Sequence, residues 1–189
     1  MGSKPARERR EDLGYARGSA VPISPYLAKL RRRVGNELLV IPSVTIIAFD
    51  KARRVLLVQH SDVEAWVAPG GSIEPGEAPA DAVVREMREE TGLLVEPLRI
   101  LGVYGGPEFR VTYRNGDQVE YVMTVFECQV VGGEMRADGV ETLRARYVTR
   151  QELDELDLAE WARIVLSQVF AHDGQEARFR PPGLPRTSP

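Results

Sequence analysis

Residues 71–93, GSIEPGEAPADAVVREMREETGL, decide the fold, because their second half has the pattern of an amphipathic helix. We predict that this helix runs from about Glu77 to Thr91 and ends at Gly92, since glycine is favoured just beyond a helix C-terminus. Apolar residues fall within an arc of about 100° on its surface and predict the side that faces the core. They are Ala80, Val83, Val84, Met87 and Leu94.

Three glutamates lie on a neighbouring arc of the same helix: Glu86, Glu89 and Glu90, spaced at i, i+3 and i+4. Like charges at this spacing destabilise a helix by a few tenths of a kcal/mol per pair, and the helix dipole disfavours negative charge near the C-terminus. Such broken local rules are expected mainly at functional sites. A divalent cation would remove the cost, since clustered carboxylates suit Mg²⁺ or Mn²⁺.

The run REMREE also fits an ordinary solvated helix face, on which Arg85 pairs with Glu89. The other interpretation is that the three glutamates bind a divalent cation. Mg²⁺ binds few protein carboxylates together with substrate phosphates. A cation held between these acids and a diphosphate would screen the phosphate charge and activate an attacking water.

Nine positions decide between these interpretations, because together they reproduce the Nudix box. They are Gly71, Glu77, Arg85, Glu86, Met87, Glu89, Glu90, Gly92 and Leu93. At background residue frequencies, chance agreement at one starting position is on the order of 10⁻⁹. The sequence therefore resembles the Nudix hydrolases. A weaker resemblance extends over residues 39–156.

The resemblance implies an α/β protein of the α+β type, with a mixed β-sheet sandwiched between helices (an α-β-α sandwich). It also implies a Mg²⁺-dependent pyrophosphohydrolase, with Mn²⁺ as a substitute, that cleaves a nucleoside diphosphate linked to another moiety. ADP-ribose or another nucleotide sugar is slightly favoured as substrate. Oxidised nucleoside triphosphates and dinucleoside polyphosphates remain open. A non-catalytic nucleotide-sensing module and an RNA 5′-end pyrophosphohydrolase are the alternative functions.

The resemblance also assigns roles to residues that match the family's motif. Glu86, Glu89 and Glu90 would bind the metal, and the Gly70 backbone carbonyl would complete the site. One of these glutamates, or a glutamate from a later loop, would be the catalytic base. Four residues would support the metal site by fixing the loop and the helix: Gly71, Glu77, Arg85 and Gly92.

The later catalytic carboxylate lies outside the box and has two candidates. We prefer Glu141, because a loop residue just before a strand can move over a metal, to Glu120 in a long strand. The alternative for each is an ordinary exposed acid. Trp66, Arg110 and Tyr113 are the candidate substrate contacts. The alternatives are a structural role for Trp66 and a solvated hairpin for Arg110 and Tyr113.

Two departures from the family pattern stand before the box. Ala68 replaces the leucine of the common W-x-L-P-G-G motif, and His60 and Ser61 stand where relatives often carry basic residues. The second departure puts phosphate or base contacts at that point in doubt.

The rest of the domain reads as strands with few helices. A helix is predicted from the Ser24-Pro25 cap to Gly35, with Leu27, Leu30 and Val34 as its apolar stripe. Its Arg31-Arg32-Arg33 run is interpreted as a solvated helix end, with a phosphate-steering patch as the alternative. Residues 44–49 and 55–58 are predicted to form a hairpin. Further strands are predicted at 98–104, 109–113, 119–131 and 142–148, followed by helices at 151–156 and 158–169.

The 189 residues are predicted to form one domain, residues 23–172, between two tails. Residues 1–22 are predicted to be a flexible basic arm, and residues 173–189 a disordered Pro/Arg-rich tail. With 43% apolar residues and a net charge of −3, the composition excludes wholesale disorder. It does not favour nucleic acid as a partner either.

Composition also bears on location and partners. The single cysteine, Cys128, is predicted to be a core thiol and favours a reducing, cytoplasmic location. No apolar stretch long enough for a membrane span occurs. The expected partner is a small-molecule nucleotide, and a homodimer is left open because many Nudix relatives dimerise.

Overall fold

The structure is a computed structural model that describes residues 23–61, 65–113, 115–137, 139, 141–171 and 177. The predicted basic arm lies outside these residues, as does all of the predicted C-terminal tail except residue 177. The domain boundaries therefore stay predictions.

Over the described residues the chain forms three α-helices and eight strands. The helices are α1 (Pro25–Val34), α2 (Pro79–Thr91) and α3 (Glu160–Ala171). The strands are β1 (Leu39–Ala48), β2 (Val55–His60), β3 (Trp66–Val67), β4 (Gly70–Ser72), β5 (Leu93–Tyr104), β6 (Arg110–Thr112), β7 (Gln118–Gly133) and β8 (Thr142–Val148). Short 3₁₀ helices cover Pro107–Phe109 and Gln151–Asp154. The predicted α+β class is confirmed.

The strands form two sheets. In the larger sheet the order is β4-β1-β7-β5, and β6 also pairs with β7. Because β1 and β7 are parallel while the other pairs are antiparallel, this sheet is mixed, as the family resemblance implies. The smaller sheet is antiparallel and has the order β3-β2-β8. Sequence analysis predicted one mixed sheet and did not predict the second, smaller sheet.

The predicted turn between residues 44–49 and 55–58 is present, but the prediction that the two strands pair as a hairpin is wrong. Asp50 holds the turn by accepting from the Ala52 and Arg54 backbone N–H groups, each at 2.9 Å. A single antiparallel bridge joins Phe49 to Val55, and then β1 enters the larger sheet and β2 the smaller one. Most residues of both strands are buried in continuous runs, which is typical of strands covered on both faces.

Helix α2 packs on the larger sheet through Ala82, Val83 and Met87, which are fully buried. The prediction of Val83 and Met87 as core residues is confirmed. It is wrong for three other residues, since Ala80, Val84 and Leu94 are exposed. Leu94 belongs to β5 rather than to the helix, and the buried side of α2 is displaced toward the glutamates. This displacement buries Glu86 and Glu90.

Helix α1 begins and ends as predicted. The Ser24 hydroxyl accepts from the Leu27 N–H at 3.2 Å, and Gly35 takes a φ of +63° at the C-terminal end. No residue of α1 is fully buried, so its predicted apolar stripe is only half-covered. None of the helices in the described part of the chain is long and apolar enough to cross a membrane.

Cys128 lies in the apolar cluster beneath α2, as predicted for a core thiol. Burial, with the negative charge of Glu127 nearby, raises the pKa of the Cys128 thiol to about 12. The thiol is therefore neutral near neutral pH and unsuited to nucleophilic chemistry.

Candidate functional site

The loop before α2 is fixed to the helix by a bidentate ion pair. Arg85 donates from Nε to Glu77 Oε1 at 2.7 Å and from Nη2 to Glu77 Oε2 at 2.9 Å. Nη2 also donates to the Ser72 carbonyl at 3.0 Å, and Glu77 Oε2 accepts from the Glu74 N–H at 3.0 Å. Hydrogen bonds from Arg85 lower the pKa of the Glu77 carboxyl. The predicted supporting pair is thus in contact, and it joins both ends of the loop.

The same guanidinium reaches two of the predicted metal ligands. Arg85 Nη1 donates to Glu86 Oε1 at 2.8 Å and to Glu89 Oε2 at 3.1 Å. The Glu86 side chain is only 11% exposed, whereas that of Glu89 is 61% exposed. Burial raises the pKa of the Glu86 carboxyl, and the contact with Arg85 opposes that rise. Arg85 therefore offsets part of the repulsion between the glutamates.

The third glutamate of the helix meets residues from elsewhere in the chain. Glu90, which is 2% exposed, has a carboxylate oxygen within 4.8 Å of donor atoms of both His60 and Glu141. The three residues come from α2, from the end of β2 and from the loop before β8. A hydrogen bond of 2.9 Å from the Ser61 N–H to the Glu141 carbonyl ties that loop to β2. The structure thus brings the preferred later carboxylate next to the box.

An irregular strand pairing accompanies this convergence. The register between β2 and β8 shifts between Gln59 and His60, so that His60 lies opposite Thr142, the residue after Glu141. Such irregularities re-aim side chains and are frequent next to active sites. Sequence analysis named His60 only as a departure from the family pattern, and the local sequence gives no sign of the register shift.

Two box glycines leave room that a larger residue would take away. A Cβ on Gly71 would overlap the Glu86 carboxylate. Gly92 has a φ of +72°, and a Cβ there would lie 2.6 Å from the Glu134 carbonyl oxygen. Gly71 therefore gives space to a predicted ligand, while Gly92 ends α2 in the left-handed region.

A cleft of about 450 Å³ passes over Gly71, Glu86 and Glu89, a volume within the range of small-molecule sites. At one end its lining includes His60, Gly70, Glu86, Glu89 and Glu141. The other end is lined by α1, β6, β7 and the residues next to them. Its apolar and aromatic members are Ile23, Leu27, Val111, Tyr113, Val119, Tyr121 and Met123, and its polar members include Ser24, Arg31, Asn115 and Asp117. The cleft therefore has an acidic end and a more apolar end.

The three predicted substrate contacts are placed differently. Tyr113 lines the cleft, with its hydroxyl 2.6 Å from that of Tyr121. Trp66 is 9% exposed and belongs to the apolar core, with the Arg146 guanidinium 5.2 Å from its ring centre. Neither Trp66 nor Arg110 is among the described residues that line the cleft, so the geometry supports a substrate contact for Tyr113 alone.

Arg110 instead pairs with the other candidate for the later carboxylate. Its guanidinium lies 2.8 Å from Glu120, and Glu120 is not among the described lining residues. Sequence analysis missed Trp161 of α3, which lines the cleft. Trp161 also packs against two core clusters.

Residues 40–169 match the family model described as the NUDIX domain, which is more than half of the chain. The chain belongs to the Nudix family. It is 32% identical over 110 residues to an ADP-ribose pyrophosphatase of Methanocaldococcus jannaschii, covering 57% of this chain and 61% of that protein. It is 32% identical over 129 residues to a MutT-like protein of Streptomyces ambofaciens, covering 65% and 77%.

Solved structures show the same Nudix fold. A crystal structure of a UDP-X diphosphatase aligns with a TM-score of 0.60 at 21% identity, covering 82% of this chain and 74% of the other. This chain spans between 54% and 63% of the length of three curated relatives.

The Glu77–Arg85 pair leads to a prediction about pH and stability. Because the pKa of folded Glu77 is below its ordinary value of 4.5, its contribution is present above that value. It is lost as the pH falls through the lowered pKa of the folded state. We expect Glu77→Gln to lower the free energy of unfolding by about 2 kcal/mol near neutral pH.

Urea unfolding of the wild type and Glu77→Gln at a series of pH values checks this prediction. The difference between the two proteins should shrink on the acid side of the ordinary carboxyl pKa. The control is Glu96→Gln, since Glu96 is an exposed acid of β5 outside this loop. An equal loss of stability at every pH would contradict the assigned role.

Proposed function

We propose that this Nudix protein is a divalent-cation-dependent pyrophosphohydrolase that cleaves a nucleoside diphosphate linked to another moiety. The observation that supports the proposal is that His60 and Glu141, which line the acidic end of the cleft, both lie close to the buried Glu90. A structural surface would not need a carboxylate from a distant loop beside a buried glutamate of the helix. A diphosphate-binding cation would.

The donor groups at this end fit such a cation. Glu90 and Glu141 offer carboxylate oxygens, the donors that Mg²⁺ and Mn²⁺ favour, and His60 offers an imidazole nitrogen that Mn²⁺ also accepts. We propose Glu90 as the central ligand, together with Glu86, Glu89 and the Gly70 carbonyl. A bound cation would stabilise the negative charge that develops on the diphosphate.

The protein's own residues would then prepare the water attack. We propose Glu141 as the group that takes the proton from the attacking water. Glu86 and Glu89 are less suited to that task, because both already accept hydrogen bonds from Arg85. Arg85 and Glu77 would keep the carboxylates of α2 in place, and the cleft walls would hold the diphosphate against them.

ADP-ribose or another nucleotide sugar is the substrate class that we favour. The ADP-ribose pyrophosphatase among the relatives supports this choice. The protein should be incubated with Mg²⁺, and separately with Mn²⁺, against ADP-ribose, nucleotide sugars, NADH, dinucleoside polyphosphates, and normal and oxidised triphosphates. We expect one preferred substrate, with turnover abolished by EDTA. A folded protein that releases no product across the panel would contradict the proposal.

Gly71→Ala tests the packing around the proposed site. The added methyl group would displace the Glu86 carboxylate, and a displacement of about 1 Å can reduce a rate about 10²-fold. We expect that loss in kcat on the preferred substrate, with little change in unfolding temperature. Gly132→Ala is the matched control, because the nearest atom to a Cβ there is 3.7 Å away. Equal activity in the two variants would contradict the assigned packing.

A further inference from the structure

Helix α1 forms part of the cleft although it precedes residues 40–169, the segment that matches the NUDIX domain. Pro25, Leu27 and Arg31 of the helix line the cleft, as do the two residues before it. No residue of α1 is fully buried, so packing against the core does little to hold it there. Its position must depend on more specific contacts.

Arg31 supplies most of those contacts. Its guanidinium donates to the carbonyls of Glu37 at 2.7 Å, Gln118 at 2.8 Å and Gly35 at 3.1 Å. Its Nε lies 3.5 Å from a carboxylate oxygen of Asp117, and the Arg31 side chain is only 11% exposed. The expectation of a wholly solvated arginine run is therefore wrong for Arg31, while Arg32 and Arg33 are exposed as predicted. Arg31 joins α1 to the turn between β6 and β7.

The wall that Arg31 holds together differs chemically from the acidic end of the cleft. Leu27 of α1 stands with Val111, Val119 and Met123 among its lining residues, and the hydroxyl pair of Tyr113 and Tyr121 lies in the same lining. Apolar and aromatic side chains with a few hydroxyl groups are typical of sites that bind flat organic rings. They offer little to a phosphate.

We propose that α1 and the β6–β7 hairpin form a subsite for the nucleobase of the substrate, with Leu27 as a contact residue and Arg31 as a positioning residue. The inference rests on the proposed function. A nucleoside diphosphate has a charged half and a planar, weakly polar half. The acidic end of the cleft, with a bound cation, would take the first half. The wall that contains Leu27, Val111, Val119 and Met123 is the part of the cleft suited to the second.

The test compares ligands that differ in the base alone. Wild-type protein is titrated by calorimetry, in the presence of Mg²⁺, with AMP, GMP, CMP, UMP and ribose 5-phosphate. We expect at least one nucleotide to bind at least about tenfold more tightly than ribose 5-phosphate. Leu27→Ala and Arg31→Ala should remove most of that difference, leaving the affinity for ribose 5-phosphate within about threefold of the wild-type value.

Two control variants on the same helix match these changes. Leu30→Ala removes a half-buried leucine that is not among the described residues lining the cleft, and Arg33→Ala removes an exposed arginine. Both should bind the nucleotides like the wild type. The proposal is overturned if no nucleotide binds more tightly than ribose 5-phosphate, or if the controls lose as much affinity as Leu27→Ala. The titration measures binding without turnover. A failure of this proposal can therefore be distinguished from a failure of the proposed function, in which no substrate of the panel is hydrolysed.

Discussion

Glu90→Gln should reduce kcat on the preferred substrate by about 10³-fold, the loss expected when several kcal/mol of charge stabilisation disappear. The change removes one negative charge with little change of shape. Glu90 is the least exposed of the box glutamates, and it is the one that lies beside His60 and Glu141. Of the box glutamates, it is therefore the one best placed to be the main ligand of the cation. We therefore expect weaker Mn²⁺ binding in the same variant.

The fold of Glu90→Gln should remain intact. Its unfolding temperature without added cation should equal or exceed that of the wild type, since repulsion within the cluster falls. Glu96→Gln is the control for a charge change on the surface, because Glu96 is exposed on β5. Activity of Glu90→Gln within a few-fold of the wild type would show that the metal site is assigned wrongly.

Glu141→Gln should have the second large effect, a fall in kcat of about 10²- to 10⁴-fold, as for the loss of a general base. As proton acceptor rather than central ligand, Glu141 should affect Mn²⁺ affinity less than Glu90 does. Steady-state kinetics, with Mn²⁺ binding measured alongside, checks both results.

Glu120→Gln is the matched control for Glu141→Gln. Glu120 was the other candidate for the later carboxylate, but it pairs with Arg110 and is outside the described cleft lining. Loss of a partly exposed ion pair on the surface has a small effect on stability. Full activity is therefore expected of Glu120→Gln. If Glu120→Gln were inactive and Glu141→Gln active, the two roles would have to be exchanged.

The chemistry within the box could be predicted because it is local. Glu77, Arg85 and the three glutamates lie on one loop and one helix, so spacing alone places them near one another. The same spacing did not show which glutamate would be buried. That depends on how α2 rotates against the sheet, and the packing of Ala82, Val83 and Met87 decides it.

Contacts between distant segments could not be predicted in this way. The proximity of Glu90 to His60 and Glu141 depends on a register shift between β2 and β8, for which the sequence has no local signal. The wall formed by α1 depends on Arg31, which donates to the Gln118 carbonyl. The sequence alone does not distinguish Arg31 from Arg32 and Arg33, which follow it and are exposed. Trp66 was similarly ambiguous, because a tryptophan beside a glycine-rich loop can stack on a ligand or fill the core.

The central claim is that water attacks phosphorus in a cation-dependent reaction in this cleft, and ¹⁸O incorporation tests it most directly. The preferred substrate is incubated in ¹⁸O-enriched water with Mg²⁺ or with EDTA, and the masses of the products are measured by mass spectrometry. We predict one ¹⁸O atom in one phosphate-containing product, which forms with Mg²⁺, does not form in EDTA, and forms far more slowly with Glu90→Gln. Products without the label, or equal product formation in EDTA, would contradict the account.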